Sequence, residues 1–246
     1  MNAENEIGER FLAQSTATGV IGEARLKSAI IGNLAMKMKL WHCHGARSLR
    51  PLWAMEEMKL PYEVEILPFP PRFFKKEFLG INPLGTVPFF QDGKTTMTES
   101  SGICHYLVEK YNRHDFGLKP DHTEYGDYLN WLYHSDATLT FPQTIVLRYS
   151  QLEQGERRLP QAVEDYAAWF IARLRRLDTH IESREFLCDG RFTVADIAVG
   201  YALHLGQSLG LDHKYTPQVK DYLARLQARS AFVKASAIGA DQSVFK

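Results

Sequence analysis

The 246-residue sequence has few cysteines, no long apolar run and no net charge, and each shortage excludes a class of protein. Cys43, Cys104 and Cys188 are too few and too scattered for a disulfide scaffold or a cysteine-rich zinc site, so a reducing, cytoplasmic compartment is expected. Without a stretch of about 18 apolar residues, no helix would span a bilayer. Lys plus Arg number 29 and Asp plus Glu number 29. Such a balance leaves no global field to gather nucleic acid or an anionic membrane surface. What is present is apolar substance, 45% hydrophobic and 12% aromatic residues, and that excludes a disordered chain. The length exceeds the roughly 100–200 residues of one ordinary domain, so one large or two modest domains are expected.

Residues 1–35 read differently from the rest. Glu4, Glu6 and Glu9 stand where a signal peptide carries positive charge, and no continuous apolar region follows. A disordered or loosely helical extension is expected there. From 36 to 113 the periods alternate. Met38 to Cys43 reads as a buried strand. On that strand His42 and His44 share one face and Cys43 the other, a poor arrangement for a metal. Leu49, Leu52, Trp53 and Met55 to Met58 fit a helix, with Pro51 tolerable only in its first turn. Tyr62 to Leu67 alternates as a strand, and Phe73 to Leu79 forms a short helix. Val87 to Phe90 and Thr95 to Thr98 flank Asp92-Gly93, which predicts a hairpin with a type I′ turn. A helix from Thr98 or Glu99 runs through Tyr111. The order β-α-β-α-β-β-α implies a mixed four-stranded sheet with helices on its faces.

Residues 114–122, with Gly117 and Pro120, read as a linker. From 123 to 246 only helical patterns follow. Phe192 to Leu209 has the sharpest start: Thr193 at the N-cap, Asp196 at the third position, then an interior that is apolar all round. Capping accounts for Asp196, so no catalytic role is needed. Cys104 and Cys188 read as inert core thiols.

Three segments carry more than fold: NPLGTVPFF (Asn82 to Phe90), TESSGICHYL (Thr98 to Leu107) and FTVADIAVGYAL (Phe192 to Leu203). In this order and architecture the chain resembles the cytosolic glutathione transferases, from Met38 to about Ile238. The resemblance implies an α/β plus all-α protein, a thioredoxin-like N-terminal domain followed by a helical C-terminal domain, with glutathione as the cofactor. It also implies a cis peptide between Val87 and Pro88 that exposes the Val87 backbone to the cysteinyl part of glutathione, as an added strand would pair. The plainer alternative is that Val87-Pro88 only begins an edge strand. Glu99 and Ser100 match the family's pair for the γ-glutamyl end, which suits a helix start rich in unpaired N–H groups. Ser100 as a simple capping serine is the alternative.

The family activates the sulfur with a Tyr, Ser or Cys after the first strand. Here that loop is HGARSLRPLW (His44 to Trp53), without Tyr, and Cys43 lies too early. Against relatives reading G-A-C-S-L, Arg47 takes the cysteine position and Ser48 the serine beside it. The loop also looks like the bacterial β-etherase branch, which reads N-S-L-K-P-L. Ser48 is the first choice for a catalytic hydrogen bond to the thiolate, with Arg47 or loop N–H groups as alternatives. Arg50 either adds charge or sits on a solvated face. The activity implied is transfer of glutathione to a hydrophobic electrophile, with ether or C–halogen cleavage as a variant. The electrophile would lie against the helix Tyr125 to Thr138, near Trp131, Tyr133, His134, Arg148 and Tyr149. A homodimer is implied as well. The rival is a non-catalytic protein that keeps the fold as a binding or scaffolding module.

Overall fold

The computed structural model describes residues 38–242, so the extension expected over 1–35 lies outside the described residues. Strand β1 (Met38–His42) is the spine of a four-stranded sheet of order β2-β1-β3-β4. It runs parallel to β2 (Tyr62–Ile66) in the register Met38↔Tyr62 to His42↔Ile66, and antiparallel to β3 (Phe89–Asp92). A parallel pair needs a crossover, and helix α1 (Leu49–Met58) supplies it. Pro51 is its third residue, inside the first turn where a missing N–H leaves no gap in the ladder. A four-residue helix α2 (Pro71–Phe74) and a 3₁₀ turn (Lys76–Gly80) lead to β3.

Strand β4 (Thr95–Met97) closes the hairpin with Asp92 opposite Thr95. The two-residue loop is therefore Gly93-Lys94, one position later than expected. Gly93 has φ 59 and Lys94 is not in the left-handed region, so the turn is not type I′, which needs positive φ at both central residues. Asp92 stays in the strand because its carboxylate accepts from the hydroxyls of Tyr106 and Tyr111 (2.9 and 2.8 Å). Both donors lie on or at the end of helix α3 (Ser100–Lys110).

The remaining regular elements among the described residues are helices, joined by turns and one isolated bridge between Cys188 and Arg191. Helix α4 (Tyr125–His134) widens into a π-helical turn (Ser135–Thr140) and continues as α5 (Phe141–Leu147). Then come α6 (Pro160–Ile181), α7 (Val194–Ser208), α8 (Pro217–Gln227) and α9 (Ser230–Ala237). α7 is the core helix expected from its pattern, and its capping box is present. Thr193 Oγ1 accepts from the Ala195 N–H (3.2 Å) and Asp196 accepts from the Thr193 N–H (2.8 Å). Asp196 also accepts from Leu187 N–H and the Tyr222 hydroxyl, so one carboxylate ties the α7 start to the preceding loop and to α8. α9 returns to cover α1: Phe232 meets Trp53 edge-on at 4.9 Å, and Arg229 pairs with Glu57.

Two buried polar arrangements fix α1. Ser48, just before the helix, turns its hydroxyl inward, 2.8 Å from His42 Nδ1, where it also accepts from the Cys43 N–H. His42 is buried, and burial pushes its imidazole down to about 4, so the ring is neutral near pH 7. Arg50, far from sitting on a solvated face, is fully buried. Its Nε donates to the Ala198 carbonyl (3.0 Å), Nη1 to Ser100 Oγ (3.0 Å) and Asp136 Oδ1, and Nη2 to the Ser135 carbonyl (3.2 Å) and Thr140 Oγ1 (2.8 Å). A guanidinium has five N–H donors, and all are used.

Arg50→Lys keeps the charge but not the fork, and leaves acceptors in three elements unpaired. It should destabilise the protein by about 3–5 kcal/mol, the usual effect of breaking a buried ion pair, read from the midpoint of urea unfolding; an unchanged midpoint contradicts the arrangement. A second prediction concerns acid. His42 binds its proton less readily folded than unfolded, so its contribution is complete above 6.5, the ordinary imidazole value, and is lost as pH falls towards about 4. The gap is worth about 3 kcal/mol. Urea midpoints from pH 7 to pH 4 should fall less steeply for His42→Gln than for the wild type, and the difference isolates His42 from the other buried histidines.

Candidate active site

The loop after β1, the start of α2, the segment before β3 and the inner sides of α5 and α7 enclose an open cleft of about 770 Å³, its solvent-open mouth included. From the sheet side come His44, Arg47, Arg72 and Val87; from the helical side, Thr144, Leu147, Tyr201 and Leu205. Tyr201 reaches across the base, its hydroxyl donating to the Gly45 carbonyl at 3.1 Å. The cleft is thus a seam between the two halves, built by residues far apart in sequence.

Its sheet-side wall is held open by local turns. The Asn82 side chain donates to the Thr86 carbonyl (2.9 Å) and accepts from the Leu84 N–H (3.1 Å), which fixes the loop before Val87. Gly85 has φ 59, and a Cβ there would meet Arg72 Cβ at 2.6 Å, so only glycine fits. The peptide between Val87 and Pro88 is cis, as the resemblance implies. Val87 is half-buried in the wall and Pro88 is buried behind it. Among the described residues, neither the N–H nor the C=O of Val87 has a hydrogen-bond partner, because the ladder to β1 begins only at Phe89. One unpaired donor and one unpaired acceptor stand together at the edge of the cleft.

Glu99 and Ser100 come at the start of α3, directly after β4. Glu99 is the N-cap residue, with extended backbone and an exposed carboxylate. Ser100 is buried, yet among the described residues its hydroxyl acts only as an acceptor, from Arg50 Nη1. Its own proton remains available. The first main-chain bond of α3 is Ile103 N–H to the Glu99 carbonyl, so the N–H groups of Ser100, Ser101 and Gly102 are the unpaired donors of a helix start. Ser101 donates to Asp136 Oδ2 at 2.6 Å. Burial, the largest single effect, pushes the Asp136 carboxyl up, but the Arg50 charge and the hydrogen bonds from Ser101 and Arg50 together outweigh it and hold the carboxyl below its usual range.

The two loop candidates part company. Arg47 lines the cleft and its Nη2 donates to Thr144 Oγ1 at 2.9 Å, so it spans the seam. Ser48 does not line it. Its side chain is fully buried and its hydroxyl is taken by His42 and Cys43. Contrary to the expectation from sequence, its hydroxyl points inward and takes a structural post behind the loop. Cys43, Cys104 and Cys188 are free and buried, and burial pushes each thiol up to about 12, which removes them as nucleophiles.

The helical wall of the cleft also lies elsewhere than the sequence suggests. Trp131 is in the core, its ring tilted against that of His180 with centroids 5.0 Å apart; Tyr133 faces outward; Arg148 pairs with Glu153. None of Trp131, Tyr133, His134, Arg148 and Tyr149 borders the cleft. The wall is instead built one helix later and from α7. Missed from sequence was Tyr201, which sits within the already noted FTVADIAVGYAL segment, and so was the post of Arg50, a buried tie between the two halves rather than a source of charge at the loop.

Comparison with known proteins places this geometry. The family model described as "Glutathione S-transferase, N-terminal domain" matches residues 45–110, which contain the loop, Val87, Pro88, Glu99 and Ser100. The glutathione transferase URE2P6 of Phanerochaete chrysosporium, solved in complex with oxidized glutathione, superposes with a TM-score of 0.73 at 26% identity, over 86% of this chain and 100% of that one. Glutathione S-transferase 3 of Schizosaccharomyces pombe is 26% identical over 78% of this chain and 84% of its own length. Glutathione S-transferase hmp2 of Hypomyces subiculosus is 30% identical over 76% of this chain and 92% of its own. A likeness that deep, running through both the sheet and the helical half, shows that the chain belongs to the glutathione S-transferase family.

Proposed function

We propose that this protein is an enzyme that binds glutathione and delivers its thiolate to an apolar electrophile held in the cleft. The observation that carries the reading is the pairing of two vacancies: the unpartnered Val87 backbone, and a buried Ser100 whose oxygen is filled by Arg50 while its proton is free. An extended peptide pairs with the first as an added strand. A carboxylate suits the second, where the Ser100 hydroxyl and the unpaired N–H groups of α3 converge with the positive end of the helix. Glu99 supplies the charge for the α-ammonium group beside that carboxylate. Glutathione carries all three features in one molecule.

The sulfur then faces the loop from His44 to Arg47. A free thiol of pKa about 8.5 is only about 3% ionised at pH 7. Lowering it by about two units makes roughly three quarters of it thiolate, for a differential interaction of about 2.7 kcal/mol. The unpaired N–H groups of Arg47 and Ser48 at the start of α1, with the Arg47 charge at longer range, are the donors that supply it. Ser48 acts indirectly, by locking the loop onto His42. In the transfer the thiol proton goes to solvent, sulfur forms a bond to the electrophilic carbon, and the leaving group departs with its electron pair. Ether or C–halogen cleavage is that same step with phenoxide or halide leaving. The free, buried cysteines suit a reducing, cytoplasmic setting.

The working form proposed is a homodimer. Phe73, Phe74 and Leu84 are 63%, 68% and 63% exposed on the sheet half, an apolar group that a second copy would cover. Sedimentation at micromolar concentration should give about twice the chain mass of 28.1 kDa; the single-chain mass contradicts it. Ser100→Ala should weaken glutathione binding by about 1–3 kcal/mol in calorimetry, because a charged acceptor loses a donor. Undiminished affinity would remove Ser100 from the site and with it the reading of α3.

A further inference from the structure

The cleft is charged on one side only. His44, Arg47 and Arg72 line it and no carboxylate does. Among the described residues neither Arg47 nor Arg72 has an acidic partner within ion-pair distance. The carboxylate that does feel the Arg47 charge, Asp136, is already held by Arg50 and Ser101. These guanidiniums stand opposite apolar surface, Leu147, Tyr201 and Leu205, where field lines are less screened than in open water.

The ligand proposed above accounts for one of the two. Glutathione has two carboxylates; the γ-glutamyl one lies at α3. In an extended peptide paired with Val87, the glycyl one follows along the same wall, where Arg72 packs against Gly85. Arg47 has no such claim on it. Its guanidinium is drawn the other way, to Thr144 on α5, and so sits in the half of the cleft left for the electrophile.

The geometry points to a substrate class: an apolar electrophile that itself carries an anionic group, a carboxylate or its equivalent, anchored by Arg47 while the apolar body lies against α5 and α7. Arg is suited to this because its planar fork meets a carboxylate with two parallel hydrogen bonds. The inference rests on glutathione occupying the site as proposed.

Two conjugates test it without requiring turnover: S-(4-carboxybenzyl)glutathione and its neutral isostere S-(4-carbamoylbenzyl)glutathione. In both the sulfur is a thioether, so any effect of Arg47 on the thiolate is absent. Calorimetry on the full chain should show the carboxylate binding about tenfold more tightly than the carboxamide. The advantage should shrink as salt rises from about 0.05 M to about 0.5 M, since the pair is partly exposed. It should vanish in Arg47→Gln and persist in part in Arg47→Lys. Equal affinities in the wild type, or a preference that survives Arg47→Gln, overturn the inference while leaving glutathione binding in place. Failure of both conjugates and of glutathione itself to bind overturns the glutathione reading and this inference together.

Discussion

The Arg50 guanidinium is the constraint on which both halves of the structure depend. A charge removed from water must find its whole complement of partners inside the protein. Its five donors are met by α3, by the π-helical turn after α4, and by α7. No rigid shift of the helical half against the sheet half leaves that set intact. The Tyr201 ring, 4.7 Å from the guanidinium carbon, adds a face to the same cage and then reaches on to the loop at Gly45. The seam that becomes the cleft is therefore set by a residue that does not line it.

That arrangement also shapes the hydrogen-bonding geometry at the start of α3. A hydroxyl can donate in several directions, and the direction matters more than the presence of the serine. By filling the Ser100 oxygen from below, Arg50 leaves the proton only outward choices. Ser48 shows the opposite case: it too is buried, but its neighbours are a ring nitrogen and a main-chain N–H, and they hold the hydroxyl inward. Two serines at the starts of two helices thus have different uses, decided by what lies behind each.

Much of the fold was legible because it is written locally. The Thr193–Asp196 cap, the apolar circumference of α7, Pro51 in a first turn and the strand-helix alternation each depend on residues within a few positions of one another. The hairpin slipped by one because Asp92 answers to Tyr106 and Tyr111 rather than to turn preference alone. The candidate site was legible where backbone carries its geometry, in the cis Val87-Pro88 peptide and the helix start at Ser100, and less so where a side chain's direction decides. Nothing near residue 48 or 50 in the sequence announces His42's neutral ring or the carbonyl of Ala198. Likewise an aromatic helix such as α4 has the same periodicity whether it faces a ligand or, as Trp131 does, the core.

The return of α9 over α1 has a consequence in time. Trp53 is covered by Phe192 and Phe232, and Glu57 beside it is paired with Arg229. On the ribosome Phe232 and Arg229, the last of these partners, are made roughly 170–180 residues after Trp53 and Glu57, which at 5–20 residues per second is roughly ten to forty seconds. For that interval the nascent sheet half carries an uncovered indole and an unneutralised glutamate. Its native burial is completed only near the end of synthesis, so the sheet half is finished last although it is made first.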